Sequence, residues 1–161
     1  MATAIQTQFK RDILAGDTNE QVTSLLQHNL VNLVDLALLM KQAHWSVFGP
    51  NFRSIHLQLD EIIATVRDSS DEVAERIAAL GIAADGRSGT VAATSELADY
   101  PREFVDVKQT IALVADATKA TIDSLRAAIE KLGDLDPVSE DLLIAIAGPM
   151  EKHLWMLQAQ E

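Results

Sequence analysis

The sequence predicts an all-α fold, a four-helix bundle in which a long crossover joins the second helix to the third. Apolar residues recur at helical spacing in four segments, and no segment alternates between apolar and polar residues as a strand would. Two of the three connections are short, whereas the middle one covers residues 81–102. The whole chain, residues 1–161, is therefore expected to form one domain.

The first helix is predicted to begin near Thr18 or Asn19, since either side chain can cap a helix, and to end near Val47. Residues 1–17 before it are expected to form a loose N-terminal segment. The inward stripe of this helix follows a 4-3-4-3-4 spacing and consists of Leu26, Leu30, Leu33, Ala37, Met40 and His44. His44 is therefore predicted to face the core.

A break at Gly49 and Pro50 separates the first helix from the second, which Asn51 can cap. Gly81 is typical of a helix C-terminus, so the second helix is predicted to reach Leu80. Its core stripe consists of Phe52, Ile55, Leu59, Ile62, Val66, Val73, Ile77 and Leu80. This spacing predicts one continuous amphipathic helix.

The length of the crossover indicates how the helices are connected. A second helix of about 29 residues would be ~44 Å long. Residues 81–102 could extend over roughly 70 Å, which is enough to return along the bundle. The second and third helices are therefore predicted to run parallel, as they do in ferritin-like bundles. A short helix within the crossover is predicted around Thr90–Ala98.

The third helix is predicted over Glu103–Leu132. Its core stripe consists of Phe104, Val107, Ile111, Val114, Thr118, Leu125, Ile129 and Leu132. Asp136 as the cap and Pro137 in the first turn open the fourth helix, which should end near Gln158. Pro149 is expected to kink that helix, because its ring does not fit a straight one.

Composition argues against several classes of protein. The chain has no cysteine, which rules out disulfide, zinc-thiolate and thiol chemistry. The longest apolar run, Leu142–Ala147, is too short to span a membrane, and the first residues lack the apolar stretch of a secretion signal. We therefore expect a cytoplasmic protein. The net charge of −11 repels phosphate backbones and favours cations, although it would also serve solubility alone.

The second helix carries two pairs of candidate metal ligands. His56 and Asp60 lie four residues apart, as do Asp71 and Glu75, so the members of each pair share a face. At 100° per residue the four side chains project at about 40°, 80°, 100° and 140° from Phe52. All four therefore lie on one flank of the apolar stripe.

The two pairs cannot hold the same ion within one chain. Their midpoints are fifteen residues apart, which is ~22 Å along the axis, whereas metal–ligand bonds are ~2 Å long. If a second copy packs antiparallel across a two-fold axis, His56 and Asp60 of one copy face Asp71 and Glu75 of the other. His44, on the neighbouring helix, can then complete each site.

Mixed imidazole and carboxylate ligation favours iron, with manganese or zinc as competitors. Open coordination positions would admit water or an oxidant, as redox catalysis requires. A di-iron site within one bundle would use Glu-x-x-His motifs, and the sequence contains none. The alternative is that His44 is an ordinary core histidine and the acids form a solvated flank, but the combined spacing of all five residues favours the metal site.

Several peptides resemble the signature of the Dps family, the DNA-binding proteins from starved cells. They are KQAHWSVFGPNF, HLQLDE, DEVAERIAALG, DGRSGTVAA, SEDLLIA and EKHLW, and the resemblance covers nearly the whole chain. It implies a ferritin-like bundle, with a short helix in its crossover, that assembles into a hollow dodecamer. It also implies a ferroxidase that oxidises Fe(II), preferably with hydrogen peroxide, and stores the ferric mineral, which protects against oxidative stress.

The resemblance implies roles for individual residues. His44, His56 and Asp60 would ligate iron from one subunit, as mononuclear or dinuclear sites. Asp71 and Glu75 would come from its two-fold mate, as the axial-rise argument requires independently.

Further roles follow from the same resemblance. Trp45 resembles the family's aromatic residue that intercepts oxidising equivalents, with packing as its alternative role. Asp134, Asp136 and Asp141 are candidates for an acidic ion-uptake pore on a three-fold axis, with helix capping and interaction with the helix dipole as the alternative. Two histidines fall outside the pattern and are assigned structural roles, namely His28 and His153.

DNA binding is expected to be weak or absent. Family members that bind duplexes often do so through tails rich in lysine or arginine. Among the first twenty residues the only cations are Lys10 and Arg11. The acids there are Asp12, Asp17 and Glu20. Because counterion-release binding needs clustered cations, we rank a nucleoid protein that compacts and protects DNA as the alternative, and a purely structural helical module below it.

Overall fold

A computed structural model of the protein describes residues 9–161. The elements within that range are α1 Gly16–Ser46, β1 Val47–Phe48, α2 Phe52–Ala79, α3 Ser88–Thr94, β2 Val105–Asp106, α4 Val107–Leu132 and α5 Pro137–Gln158. Four long helices form the bundle and α3 lies in the crossover, which confirms the predicted all-α class. The short crossover helix begins two residues before the predicted start at Thr90 and ends four residues before Ala98.

Helix α1 begins two residues earlier than predicted. Ala15 occupies the N-cap position without a side-chain hydrogen bond, so neither Thr18 nor Asn19 caps the helix. Asn19 is instead buried, and its amide donates to the carbonyl oxygen of Leu80 at 3.0 Å. That bond ties the start of α1 to the end of α2. Of the predicted N-terminal segment, residues 1–8 lie outside the described residues and Gly16 already belongs to α1.

The connection between α1 and α2 is a tight turn that requires left-handed backbone. Gly49 has a φ of 108° and Asn51 a φ of 64°, and the amide of Phe52 donates to the carbonyl oxygen of Gly49 at 3.1 Å. Asn51 occupies the predicted N-cap position, but its side chain makes no capping hydrogen bond. The turn makes α1 and α2 an antiparallel pair and places the end of α1 beside the start of α2.

A short parallel pair of strands confirms the direction of the crossover. Val47 lies opposite Val105, and Phe48 lies opposite Asp106. Because α2 follows the first strand and α4 follows the second, the two helices start at the same end of the bundle and run parallel. Periodicity alone gave no sign of these two-residue strands, since a pattern of alternation cannot be recognised over two positions.

The second strand also explains why α4 starts later than predicted. The helix begins at Val107, not Glu103, and the Asp106 side chain accepts a capping hydrogen bond from the amide of Gln109 at 3.1 Å. Phe104 therefore lies outside the helix and is 77% exposed, so its predicted place in the core is wrong. Phe52, in the first turn of α2, is also exposed, so its predicted place in the core is wrong as well.

The predicted stripes otherwise form the core. Every predicted inward residue of α1 is buried, and so is every one of α2 except Phe52. By length and composition alone α1 could cross a membrane, but 61% of its most apolar stretch is buried inside the bundle. Packing against the other helices therefore accounts for the apolar character of α1.

Helix α5 begins as predicted. Pro137 stands in its first turn, and the Asp136 side chain accepts from the amide of Ser139 at 3.2 Å. The helix continues through Pro149, which has no N–H to donate to the preceding turn. Buried residues on both sides of that proline, Ile146 and Met150, keep the helix packed on the bundle.

His153 on α5 has the structural role that the sequence assigned to it. Its Nε2 donates to the hydroxyl oxygen of Thr65 at 2.9 Å, and that hydroxyl donates to the carbonyl oxygen of Glu61 at 3.3 Å. Its Nδ1 is buried and has no partner among the described residues. Burial lowers the pKa of His153 below its usual value, and the charge of Lys152 acts in the same direction. A proton on Nδ1 would meet no acceptor there.

This environment predicts a loss of stability in acid. Since the pKa of His153 is lower in the folded chain than in the unfolded chain, the unfolded chain binds more protons as the pH falls below about 6.5, and the free energy of unfolding decreases. Urea midpoints followed by circular dichroism at pH 7 and pH 5 should therefore differ less for His153→Gln than for the wild type. An equal shift of the urea midpoint in the two proteins would show that His153 does not contribute to the loss of stability in acid.

Candidate metal centre

His44 and His56 hold each other in place across the turn between α1 and α2. The Nδ1 of His44 donates to the carbonyl oxygen of His56 at 2.8 Å, and the Nδ1 of His56 donates to the carbonyl oxygen of His44 at 2.9 Å. The two rings stack with their centroids 3.6 Å apart. The carbonyl of His44 lies in the last turn of α1, where it has no helical partner, so the bond also caps that helix.

The reciprocal bonds decide which ring nitrogens can bind a metal ion. A carbonyl oxygen only accepts hydrogen bonds, so Nδ1 carries a proton in both rings, and Nε2 is the nitrogen through which each ring can bind a metal ion. An imidazole oriented by a hydrogen bond from its other nitrogen is the usual form of a metal-binding histidine. His44 is only 8% exposed, and its neighbour His56 is half-buried. The pair is therefore a rigid set of two nitrogen donors.

Asp60 stands one turn after His56 and already has a cationic partner. The Nζ of Lys41 donates to Asp60 Oδ1 at 2.6 Å, and the Nδ1 of His44 lies 3.4 Å from the same oxygen. The hydrogen bond from Lys41 holds the pKa of Asp60 below its usual value, although desolvation opposes it. The carboxylate is therefore ionised and suited to a cation at neutral pH.

Asp71 and Glu75 lie further along the same continuous helix, and both side chains are exposed. The structure brings His44, His56 and Asp60 together, but it does not bring Asp71 and Glu75 to them. Within residues 9–161 of a single chain, no three histidine or acidic side chains are arranged to hold a metal ion. One chain therefore keeps the two groups of candidate ligands apart.

Exposed apolar side chains surround the histidine half. They come from the end of α1, the first strand and the first turns of α2, and they are Trp45, Phe48, Phe52 and Leu57. Phe52 presents its edge to the ring of His56, with the ring centroids 6.3 Å apart. Trp45 also lines an open groove of about 320 Å³ with Tyr100 and Asp99. These apolar side chains are thus uncovered in a single chain.

The three pore candidates have different environments. Asp134 and Asp141 are exposed near the start of α5. Asp136 is only 5% exposed, and its carboxylate accepts from Arg76 Nη2 at 2.7 Å as well as from Ser139. Burial would raise the pKa of Asp136, but the hydrogen bonds from Ser139 and Arg76 outweigh it and lower the pKa. Asp136 thus has the capping role that was its alternative, and a pore built on the other two acids stays a prediction.

Two features of the site were not anticipated from the sequence. Lys41 precedes His44 by three residues, so helical spacing alone places both on the same side of α1, and this signal could have identified it. The reciprocal hydrogen bonds of the two histidines have no comparable signal, because they depend on the left-handed turn at Gly49 and Asn51.

Comparison with known proteins gives consistent results. The family model described as a ferritin-like domain matches residues 23–160. The DNA protection during starvation protein of Mycolicibacterium smegmatis is 40% identical over 153 residues, covering 95% of this chain and 84% of the relative. The fine tangled pili major subunit of Haemophilus ducreyi is 39% identical over 142 residues, covering 88% of this chain and 75% of the relative.

Solved structures agree with these sequence relatives. A tetragonal form of Mycobacterium smegmatis Dps superposes with a TM-score of 0.91 at 40% identity, covering 96% of this chain and 94% of the other. Dps from Microbacterium arborescens in a high-iron form has a TM-score of 0.88 at 32% identity, covering 93% of this chain and 98% of the other. Similarity of this extent spans the four bundle helices and the crossover.

Proposed function

The chain belongs to the ferritin-like family and, within it, to the Dps proteins, and on that premise we propose that it oxidises Fe(II) and stores the ferric product. Hydrogen peroxide is the proposed preferred oxidant, and protection against oxidative stress is the proposed role. The observation that supports this best is the preformed pair of imidazoles with an ionised carboxylate beside it.

The proposed site forms between two copies of the chain. An antiparallel partner would place its Asp71 and Glu75 opposite His56 and Asp60, since the pairs are separated by ~22 Å on each copy of α2. A two-fold axis then generates two equivalent sites per dimer. The exposed apolar side chains around His44 support this arrangement, because a second copy would cover them.

The proposed complete assembly is a hollow dodecamer, with iron as the substrate and cargo. The likeness to Dps structures along most of the chain supports assembly into a homo-oligomer. One solved relative is described as a high-iron form, which supports iron as the metal in this chain as well. Manganese or zinc would compete for a site of imidazoles and carboxylates.

In the proposed reaction, two Fe(II) ions each give one electron to hydrogen peroxide. The O–O bond breaks, two protons are taken up, and the products are two Fe(III) ions and two water molecules. The imidazoles of His44 and His56 would bind through Nε2, and the carboxylates would offset the charge gained on oxidation. Trp45, which follows His44 and is exposed, would supply an electron when only one Fe(II) is bound.

Removal of both imidazoles tests this function. Shells of His44→Ala plus His56→Ala should lose most peroxide-driven oxidation of Fe(II), since they lose both nitrogen donors while keeping every carboxylate. Stopped-flow absorbance of Fe(III) formation after anaerobic loading measures the rate.

His28→Ala is the matched control, because the His28 side chain is 40% exposed and pairs with Glu96 rather than with the site residues. Its shells should oxidise iron at the wild-type rate. A double variant as fast as the control would refute the assignment.

DNA protection is the second candidate function, and the names of the relatives favour it. The composition does not support strong binding. The net charge of −11 is unfavourable for a phosphate backbone, and the cations near the start of the chain, Lys10 and Arg11, are outnumbered by acids. We therefore propose that DNA binding is weak or absent at physiological salt, and that any association with the nucleoid is correspondingly weak.

A gel-retardation experiment tests this proposal. Plasmid mixed with intact shells should migrate like free plasmid at about 150 mM salt, where a protein without clustered cations has lost most nonspecific affinity. A fusion carrying a lysine-rich tail provides the positive control. Retardation by the untagged shell at that salt concentration would instead favour DNA protection as the main role.

A further inference from the structure

The flank of α2 that carries the candidate metal ligands also carries an arginine. Arg67 projects at about 60° from Phe52, inside the range of about 40° to 140° that the four ligands of this helix occupy. Arg67 is exposed, and within residues 9–161 its side chain takes part in no ion pair. A single chain therefore gives this cation no partner, although three of the four ligands on the same flank are acids.

The two-fold arrangement of the proposed site places Arg67 beside the symmetry axis. Because each ligand pair of one copy faces the other pair of its mate, the axis passes α2 midway between the pairs, between residues 65 and 66. Arg67 lies ~2 Å along the helix from that point, so the two copies of this arginine lie on either side of the axis. Ala64 of one copy then lies opposite Arg67 of the other, and its small side chain leaves room for the guanidinium.

Carboxylates of both copies lie one helical turn from each arginine. Asp71 follows Arg67 by four residues on the same helix, which is ~6 Å along the axis. Asp60 of the partner subunit lies opposite Asp71 in this arrangement, so the same axial distance separates it from Arg67. A planar guanidinium has several N–H donors and can contact two carboxylates at once. Arg67 would therefore bridge one acid from each copy.

Charge balance indicates what the arginine contributes. Each proposed site contains three carboxylates, from Asp71 and Glu75 of one copy and from Asp60 of the partner subunit. Lys41 offsets the charge of Asp60, whereas Asp71 and Glu75 form no ion pair within the described part of the chain. Without Arg67 the metal-free contact would bring two uncompensated carboxylates into each site, and with it only one.

We propose that Arg67 holds the two-fold contact together in metal-free protein, by compensating carboxylates that a metal ion neutralises once it binds. The contact is then stable both with and without metal, instead of requiring metal to form. This proposal rests on the shared site of the proposed function and adds an intersubunit residue to it. Arg67 is a positioning residue, since it acts on the carboxylates and not on the oxidant.

A dilution experiment without redox chemistry tests the proposal. Because the chain has no cysteine, Ala64→Cys, the parent protein, has one thiol per copy, and the two thiols of a dimer lie ~4.5 Å apart along the helix axis. A short bifunctional maleimide then reports the two-fold contact as a covalent dimer on a denaturing gel. Metal-free protein that also carries Arg67→Leu should reach half-maximal dimer at a concentration at least about tenfold higher than the parent, because charge pairs across the contact are lost. Saturating zinc should return this midpoint to that of the parent.

Lys119→Leu in the same parent is the matched control. Lys119 pairs with Asp123 of its own chain on the exposed surface of α4, so the variant removes the same charge away from the contact. Its midpoint in metal-free protein should equal that of the parent. Equal midpoints for Arg67→Leu and Lys119→Leu would overturn the proposal, and so would a weakened Arg67→Leu that zinc does not restore.

Two further results separate the possible failures. If circular dichroism shows that Arg67→Leu does not fold, Arg67→Lys and Arg67→Gln replace it, and equal midpoints for these two would overturn the role of the charge. If the parent forms no covalent dimer although light scattering shows an assembled shell, the antiparallel contact is absent, and the shared site fails together with the arginine proposal. A covalent dimer that forms equally well with and without Arg67 leaves the shared site intact and refutes only the role of the arginine.

Discussion

The rise of an α-helix determines what a single chain can do. Helix α2 is continuous over Phe52–Ala79, so the midpoint of the His56 and Asp60 pair stays ~22 Å along the axis from that of the Asp71 and Glu75 pair. No local adjustment can bring these side chains to one ion. A site that uses all of them requires a second copy of the helix in antiparallel orientation. In the proposed function, iron oxidation therefore depends on the assembly of at least two chains.

The bundle prepares one half of that site before any metal arrives. The left-handed turn at Gly49 and Asn51 brings the last turn of α1 against the first turns of α2. His44 and His56 then satisfy each other's backbone carbonyls through Nδ1, which leaves both Nε2 atoms free. Because the same bonds cap a helix and orient the donors, metal binding would require little reorganisation of the protein.

The core could be predicted from the sequence because the apolar period is long and regular. In α1 and α2 the predicted stripes are buried almost without exception, and the inward position of His44 followed from the same spacing. The failures lie at helix ends, where periodicity carries little information. Periodicity places Phe104 on a helical stripe, but the two residues after it form a strand that pairs with Val47 and Phe48, which is a contact between distant parts of the chain.

The candidate site could be predicted only in part from the sequence, for a related reason. Spacing places ligands on a face, but it does not show which hydrogen bond each ligand already makes. Asp136 accepts a hydrogen bond from Arg76, and Asp60 accepts one from Lys41. Both bonds join different helices, so they can be identified only once the helices are packed. The packed structure is therefore needed to distinguish a carboxylate that caps a helix, such as Asp136, from a candidate metal ligand, such as Asp60.

Mixed shells provide the most direct test of a site shared between two copies. One variant carries His44→Ala plus His56→Ala, and the other carries Asp71→Ala plus Glu75→Ala. Each alone should be inactive in peroxide-driven iron oxidation, whereas shells co-assembled from equal amounts of both should regain about a quarter of the wild-type rate, because half the dimers would contain one intact site of two. Co-assembled shells that stay as inactive as either variant alone would contradict the shared site.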